Sequence, residues 1–193
     1  ASGVAAAPAA IYVEGYAGAV SVAQGEPVGL HVSVGAAAVF DVEVARLGAE
    51  RVVVWGQKNV PGAEQPVPED ASANGCGWPE TLKVPVGADW RPGYYEVTLK
   101  AADAGGKWTG RGRRTAESTA FFIVRAAKPG SESKILLQLA TNTYNAYNNW
   151  GGFSVYAYNG LGKNQGHRVS FDRPAASQFS RWERPFVQWA EAA

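Results

Sequence analysis

Histidine and cysteine, which most catalytic and metal sites use, are nearly lacking from this 193-residue sequence. Its two histidines, His31 and His167, lie far apart, and Cys76 is its single cysteine. A single cysteine excludes a disulfide within these residues, and Cys76 has none of the neighbouring Cys and His residues of a zinc site. We interpret Cys76 as a small loop residue rather than a reactive thiol, and His31 as a surface residue on the polar side of a strand. No Gly-x-Ser-x-Gly, phosphate-binding or His-Glu-x-x-His motif is present.

Excess charge and long apolar runs are lacking as well. The net charge is +1, so nothing in the composition favours a nucleic acid or a membrane surface as a partner. The one basic cluster (Arg111, Arg113 and Arg114) is typical of a solvated hairpin tip rather than an anion site. No run approaches the roughly 20 apolar residues of a membrane-spanning helix. Residues 1–10 are not an intact signal peptide, and both a cytoplasmic and an exported protein stay open.

The region from residue 11 to residue 124 has the two-residue period of β-strands. Residues 29–34 (GLHVSV) and 40–44 (FDVEV) alternate polar and apolar side chains. Residues 51–55 (RVVVW) are nearly continuous in β-branched side chains, which predicts a strand covered on both faces, followed by a loop from residue 56 to residue 78. Further strand signals, separated by turn residues, cover 81–86, 94–101 and 118–125. The pattern predicts an immunoglobulin-like antiparallel β-sandwich of about seven strands over residues 1–127.

A turn at residues 89–97 (DWRPGYYEV) supports this fold. Pro92 and Gly93 form a turn directly before an aromatic strand start. We expect a tyrosine at this corner to bury its ring and return its hydroxyl to the backbone.

The pattern changes after a polar connector at residues 126–133. Residues 134–140 (KILLQLA) predict a buried strand, and strand-like pieces follow at 153–158 and 167–171. Phe186, Trp189 and Ala190 have helical spacing and predict a C-terminal amphipathic helix. Residues 128–193 therefore read as the opening of an incomplete α/β domain. One strand and one helix cannot cover a sheet, so this part either packs on the sandwich or continues beyond the chain, and we favour the second.

The Asn-rich segment, residues 141–152, follows the predicted buried strand directly. Ligands of open α/β sheets bind beyond the carboxyl ends of strands. Amides, phenols and indole supply donors, acceptors and flat apolar surface, so we select as substrate-pocket candidates Asn142, Asn145, Asn148, Trp150, Tyr156 and His167. Gly151 and Gly152 permit close backbone approach or a positive φ. The alternative is a polar loop whose asparagines satisfy their own turns and whose aromatic rings fill the domain junction.

Residues 142–152 (NTYNAYNNWGG) resemble the large (β) subunit of N,N-dimethylformamidase. The resemblance extends to the phrases SVY at 154–156, RVSFDRP at 168–174 and WE at 182–183. A sandwich module with phrases like DWRPGYY (89–95) and FFIVR (121–125) precedes this segment in that family. The resemblance therefore covers most of the chain.

The resemblance implies an amidohydrolase for a small amide substrate, with a mononuclear iron held by two tyrosines and a glutamate. The iron would act on the amide carbonyl as a Lewis acid and activate a water. Phenolate and carboxylate are hard oxygen donors, which suit ferric iron. Tyr144, Tyr147 or both are then iron ligands, and their spacing does not choose between them; Tyr156 and Tyr158 are weaker candidates.

The remaining ligands, including the glutamate, are expected beyond Ala193. Glu183 belongs to a shared phrase but is more simply a helix cap or an ion pair with Arg181 or Arg184. The resemblance therefore implies the N-terminal part of an amide hydrolase that is inactive alone, with a homo-oligomer or a partner subunit as its assembly.

Two hypotheses from other functional classes stay open. The seven tryptophans and eight tyrosines fit a non-catalytic module that binds carbohydrate, since flat rings stack on sugar faces. The sandwich could instead serve as an assembly scaffold.

Overall fold

The computed structural model describes residues 10–37, 39–102, 115–131, 133–175 and 177–192. The predicted hairpin tip with Arg111, Arg113 and Arg114 lies outside the described residues. The strands are β1 (Tyr12–Ala17), β2 (Ser21–Ala23), β3 (Val28–Gly35), β4 (Val39–Leu47), β5 (Arg51–Pro61), β6 (Leu82–Val84), β7 (Gly93–Ala102) and β8 (Thr115–Arg125). The helices are α1 (Ala71–Asn74), α2 (Thr141–Tyr147), α3 (Phe179–Trp182) and α4 (Arg184–Ala192), with single 3-10 turns at Ala157–Asn159 and Leu161–Lys163.

Two sheets form the first part of the molecule. One has three strands in the order β1-β3-β6, and the other has five in the order β2-β8-β7-β4-β5. The pairs are antiparallel except β2 with β8, which is parallel. Successive residues of a strand point to opposite faces, so alternate apolar residues of both sheets meet in one core. The prediction of a mainly β fold with antiparallel sheets is confirmed.

The tyrosine corner is confirmed at the start of β7. Tyr95 is fully buried, and its hydroxyl donates a 2.6 Å hydrogen bond to the carbonyl oxygen of Arg91. Trp90 stacks on the Tyr95 ring with centroids 5.1 Å apart. The Tyr95 side chain thus folds back over the Pro-Gly turn that precedes it, and its hydroxyl returns to the backbone as the sequence predicted.

The prediction that residues 51–55 are covered on both faces is wrong. Val52 and Val53, successive residues that point to opposite faces of β5, are 52% and 51% exposed, so neither face is covered there. Strand β5 lies at the edge of the larger sheet and pairs with β4 alone. The strand also continues to Pro61, through the beginning of the predicted loop. Its hydrogen bonds to β4 hold the extended conformation there despite Gly56 and the polar side chains.

The strands predicted after residue 128 are not formed. Residues 134–140 lie outside any strand, and Leu136 is 92% exposed. Residues 153–158 enter a 3-10 turn, and residues 167–171 are irregular. A strand requires a hydrogen-bonding partner, and within 133–175 and 177–192 the chain has helices and no strand. The predicted C-terminal helix is confirmed as α4.

Helices α2, α3 and α4, which we call the helical segment, pack on the outer face of the five-stranded sheet. Tyr94 points away from the core that holds Tyr95, and its ring stacks on Phe179 of α3 at a centroid distance of 4.0 Å. Phe121 of β8 meets Tyr144 of α2 edge to face at 5.9 Å. Arg46 forms an ion pair with Glu191 of α4. Among the described residues, none of the helices has the length and apolar character that crossing a membrane requires.

Candidate functional site

Helix α2 gives its two tyrosines different environments. Tyr144 is 2% exposed and packs with Leu47, Tyr94, Phe121 and Phe179 between helices and sheet. Tyr147, the last residue of the helix, is 37% exposed. The sequence left both as equal candidates, whereas the fold turns one toward the sheet and leaves the other at the surface.

The Tyr144 hydroxyl lies beside the carboxylate of Glu183. Neither this hydroxyl nor Glu183 Oε2 has a hydrogen-bond partner among the described residues, although both atoms are buried. Burial and the nearby negative charge of Glu183 raise the pKa of Tyr144. The other oxygen of Glu183 accepts a 3.3 Å hydrogen bond from the Ala140 amide at the start of α2. The Tyr144 phenol therefore lies away from solvent, next to a carboxylate.

Tyr147, Tyr156 and Tyr158 form what we call the tyrosine surface. The rings of Tyr147 and Tyr156 stack with centroids 4.3 Å apart, and Tyr158 lies 6.0 Å from Tyr156. Tyr156 is 37% exposed and Tyr158 is 70% exposed. The neighbouring Tyr147 phenol raises the pKa of Tyr156. The tyrosine surface thus brings the rings of two sequence candidates, Tyr147 and Tyr156, together where a solute can reach them.

The asparagine candidates divide into structural and exposed residues. Asn145 is buried, and its Oδ1 faces the Arg173 guanidinium at 3.4 Å. Asn148 donates to the Pro174 carbonyl at 2.9 Å and accepts from the Trp150 amide at 3.1 Å. The Asn148 amide thus meets backbone groups, one of them in its own turn as the alternative interpretation describes, whereas the Asn145 amide contacts a side chain. Asn142 lies exposed on α2.

The remaining pocket candidates are Trp150 and His167. Trp150 is partly buried and meets Trp78 edge to face at 5.8 Å, where it fills the junction with the sandwich. His167 is exposed on an irregular stretch.

Arg173 is the residue that sequence reasoning missed. It is fully buried within a ring of carbonyl oxygens. Its Nε donates to Ser170 at 3.0 Å, Nη2 donates to Asn148 at 3.0 Å, and Nη1 donates to Trp150 and, at 3.3 Å, to Phe153. Burial lowers the pKa of its guanidinium to about 10. One signal in the sequence could have identified Arg173: it belongs to the RVSFDRP phrase (168–174), which is part of the family resemblance.

A close backbone approach at Gly151 ties the Asn-rich segment to α1. Gly151 has φ +80°, and a Cβ there would lie 3.0 Å from the Ser72 amide nitrogen. The Ser170 amide donates to the Ser72 carbonyl at 3.0 Å. The expected need for glycine is therefore confirmed at Gly151, because a side chain would meet both strain and backbone.

Cys76 and His31 lie in the same junction. Cys76 is buried, and burial raises the pKa of its thiol to about 12, which agrees with a packing residue rather than a nucleophile. His31 is half-buried instead of lying on an open polar face: its ring stacks on Tyr16 at 4.9 Å, and its Nδ1 lies 2.7 Å from the Trp78 carbonyl. Burial raises the pKa of Tyr16 to about 12.

The donor set for a metal is restricted. Among the described residues, no group of three or more His, Cys, Asp or Glu side chains is placed to hold an ion. Phenol oxygens are hard donors that suit a hard cation; those of Tyr147 and Tyr156 belong to exposed side chains, whereas Tyr144 is buried.

Comparison with known proteins finds one family. Residues 41–193 match the family model described as N,N-dimethylformamidase beta subunit-like, C-terminal. The match includes β4, β5, β7 and β8 as well as all of the helical segment. No curated protein matches the chain.

Proposed function

Because the chain belongs to the N,N-dimethylformamidase beta subunit-like family, we propose that it is part of an enzyme that hydrolyses the C–N bond of a small amide. The observation that supports this function best is the tyrosine surface, in which Tyr147 of the Asn-rich segment stacks on Tyr156 within the family match. The designation of the family as a beta subunit also favours a partner subunit as part of the working assembly.

The proposed cofactor is iron, with Tyr147 as a ligand and Tyr156 as the neighbouring second phenol. Bound iron would supply Lewis acidity at the amide carbonyl and at an attacking water. Tyr147 is the better candidate of the two α2 tyrosines because its exposure admits a substrate, while Tyr144 lies 2% exposed against Phe121. Tyr156 and Tyr158 would then bound the place where the small amide lies, with flat rings that favour its apolar groups.

The protein residues around Tyr147 hold its position. The Tyr147 carbonyl accepts a 3.0 Å hydrogen bond from the Asn159 side chain, and the Ala146 carbonyl accepts a 3.1 Å bond from the Val155 amide. These contacts satisfy the last carbonyls of α2 without water. A phenol at a fixed helix end is a better ligand than one on a mobile loop, because less conformational freedom is lost on binding.

No described carboxylate is assigned as the glutamate ligand. Glu183 lies beside Tyr144 and the Ala140 amide, at the sheet side of α2. We propose that the glutamate comes from outside residues 10–192, and that residues 1–193 alone do not turn over an amide.

The test compares Tyr147→Phe with Tyr144→Phe in the full native polypeptide and its assembly. Iron content by mass spectrometry, the visible phenolate-to-iron absorption band and amide hydrolysis are measured for each. We expect Tyr147→Phe to lose iron, absorption band and turnover together. Tyr144→Phe is the matched control and should keep all three, since its hydroxyl is buried away from the tyrosine surface. Full iron and turnover in Tyr147→Phe would refute the assignment.

A carbohydrate-binding module is the second candidate. Trp182 and Trp189 are 62% and 67% exposed, and such rings stack on sugar faces. Glycan-array binding that is lost in Trp189→Ala would favour it. An array without any signal for the intact chain would count against it.

A further inference from the structure

The guanidinium of Arg173 is a buried cation. All five of its N–H groups have acceptors: the carbonyls of Asn148, Trp150, Phe153 and Ser170, and the amide oxygen of Asn145. The salt bridges between described residues do not include Arg173. A charge that is kept out of water without an ion pair is costly, so the site is built around the geometry of these hydrogen bonds.

The acceptors identify what Arg173 holds. Asn145 and Asn148 lie on either side of Tyr147, one within the last turn of α2 and the other just after it. Trp150 and Phe153 lie between Asn148 and Tyr156 in the chain. A single side chain therefore contacts the Asn145 side chain before the exposed tyrosine and the Asn148 backbone directly after it. It also connects this part of the chain to residues 170–173 and, through Ser170, to α1.

We propose that Arg173 is the positioning residue of the candidate iron site: it sets the end of α2 so that Tyr147 faces Tyr156. This inference rests on the proposed function. Arg173 does not touch the tyrosine hydroxyls and acts through the main chain. Lysine cannot replace it, because a lysine ammonium has three donors and lacks the planar fork that reaches four carbonyls at once.

The chain offers a matched control in the same phrase. Arg168 is exposed, so Arg168→Lys makes the same substitution at a surface position. Both variants are made in the full native polypeptide and its assembly, and Tyr147→Phe is measured beside them.

Hydrogen exchange and iron binding together test the proposal. For Arg173→Lys we expect amides within residues 145–156 to exchange about 10- to 100-fold faster, with β7 and β8 unchanged. The dissociation constant for iron, measured by titration of the visible phenolate-to-iron band, should rise about 10- to 100-fold. Arg168→Lys should match the wild type in both measurements.

Unchanged exchange in residues 145–156 would overturn the proposal, since Arg173 would then not hold this part of the chain. Equal acceleration in β7 and β8 would also overturn it, since Arg173 would then stabilise the whole fold rather than the end of α2. Iron loss in Tyr147→Phe without any loss in Arg173→Lys would overturn this inference alone. Full iron in both variants would overturn it together with the proposed function. If Arg173→Lys is insoluble, Arg173→Ala is refolded with and without free guanidinium. Iron uptake that depends on guanidinium supports the proposal, and uptake that does not depend on it refutes the proposal.

Discussion

Replacing Phe179 by alanine should separate the helical segment from the sheet. Phe179 is 1% exposed, and its ring lies parallel to that of Tyr94, at an interplanar angle of 2° and a centroid distance of 4.0 Å. It shares a cluster with Leu47, Phe121 and Tyr144. Truncating a buried phenylalanine costs about 3–5 kcal/mol, from lost transfer free energy and the cavity left behind. Much of this cost should appear at the interface, because the sandwich core is formed by other residues.

The assay is residue-resolved hydrogen exchange together with urea unfolding. We expect amides of α2, α3 and α4 in Phe179→Ala to exchange faster while β4, β7 and β8 keep their protection. The unfolding curve should become biphasic or broader, because the helices now detach first. Phe186→Ala is the control, since Phe186 is 45% exposed on α4 and its loss should cost less than about 1 kcal/mol.

Two results would refute this reasoning. Unchanged stability and exchange in Phe179→Ala would mean that the aromatic stack does not stabilise the packing of the helices on the sheet. Equal loss of protection in helices and sheets, with one sharp transition, would mean that the segment and the sandwich are a single cooperative unit.

Three further predictions concern the sandwich and its junctions. Tyr95→Phe should lower the free energy of unfolding in urea by about 1–2 kcal/mol, because it removes the buried 2.6 Å hydrogen bond of the corner, whereas Tyr12→Phe, whose hydroxyl is more exposed, should change it little. Arg46 lowers the pKa of Glu191, so the ion pair stabilises the packing of α4 fully at pH values above the ordinary glutamate pKa of about 4.3. This stabilisation is lost as the pH falls through the lower pKa of Glu191 in the folded protein. Hydrogen exchange in α4 should therefore become faster at acid pH, and Glu191→Gln should abolish that pH dependence. Cys76 should react with iodoacetamide about a thousandfold more slowly than an exposed thiol until the protein unfolds, because its pKa is raised to about 12; rapid native labelling would contradict its burial.

The sheets could be predicted because each strand carries its own pattern. Alternation in β3 and β4 and the Pro-Gly corner before Tyr95 are local signals, and the core uses them as they stand. The position of a strand within its sheet is not local. Residues 51–55 have the composition of a central strand, yet β5 lies at an edge because the order of pairing places nothing beyond it among the described residues.

The candidate site was predicted in part. The Asn-rich segment and its glycines were found from composition, and the close approach at Gly151 follows from the residue type. The partners of the asparagines were not readable, because Arg173 lies 25 residues after Asn148 and binds carbonyls, which every residue carries. The difference between Tyr144 and Tyr147 was also hidden, since both occur in one helical turn.

By itself the sequence determined the period of the strands, the corner at Tyr95, the C-terminal helix and the family resemblance, because each depends on residues close together in the chain. The tertiary structure alone decided that residues 134–140 form no strand, that Phe179 packs on Tyr94, and that Arg173 holds the chain around Tyr147. These depend on which distant surfaces and hydrogen-bond donors meet after folding. Burial then gives two similar tyrosines different surroundings: Tyr144 lies beside Glu183 against the sheet, and Tyr147 lies at the surface.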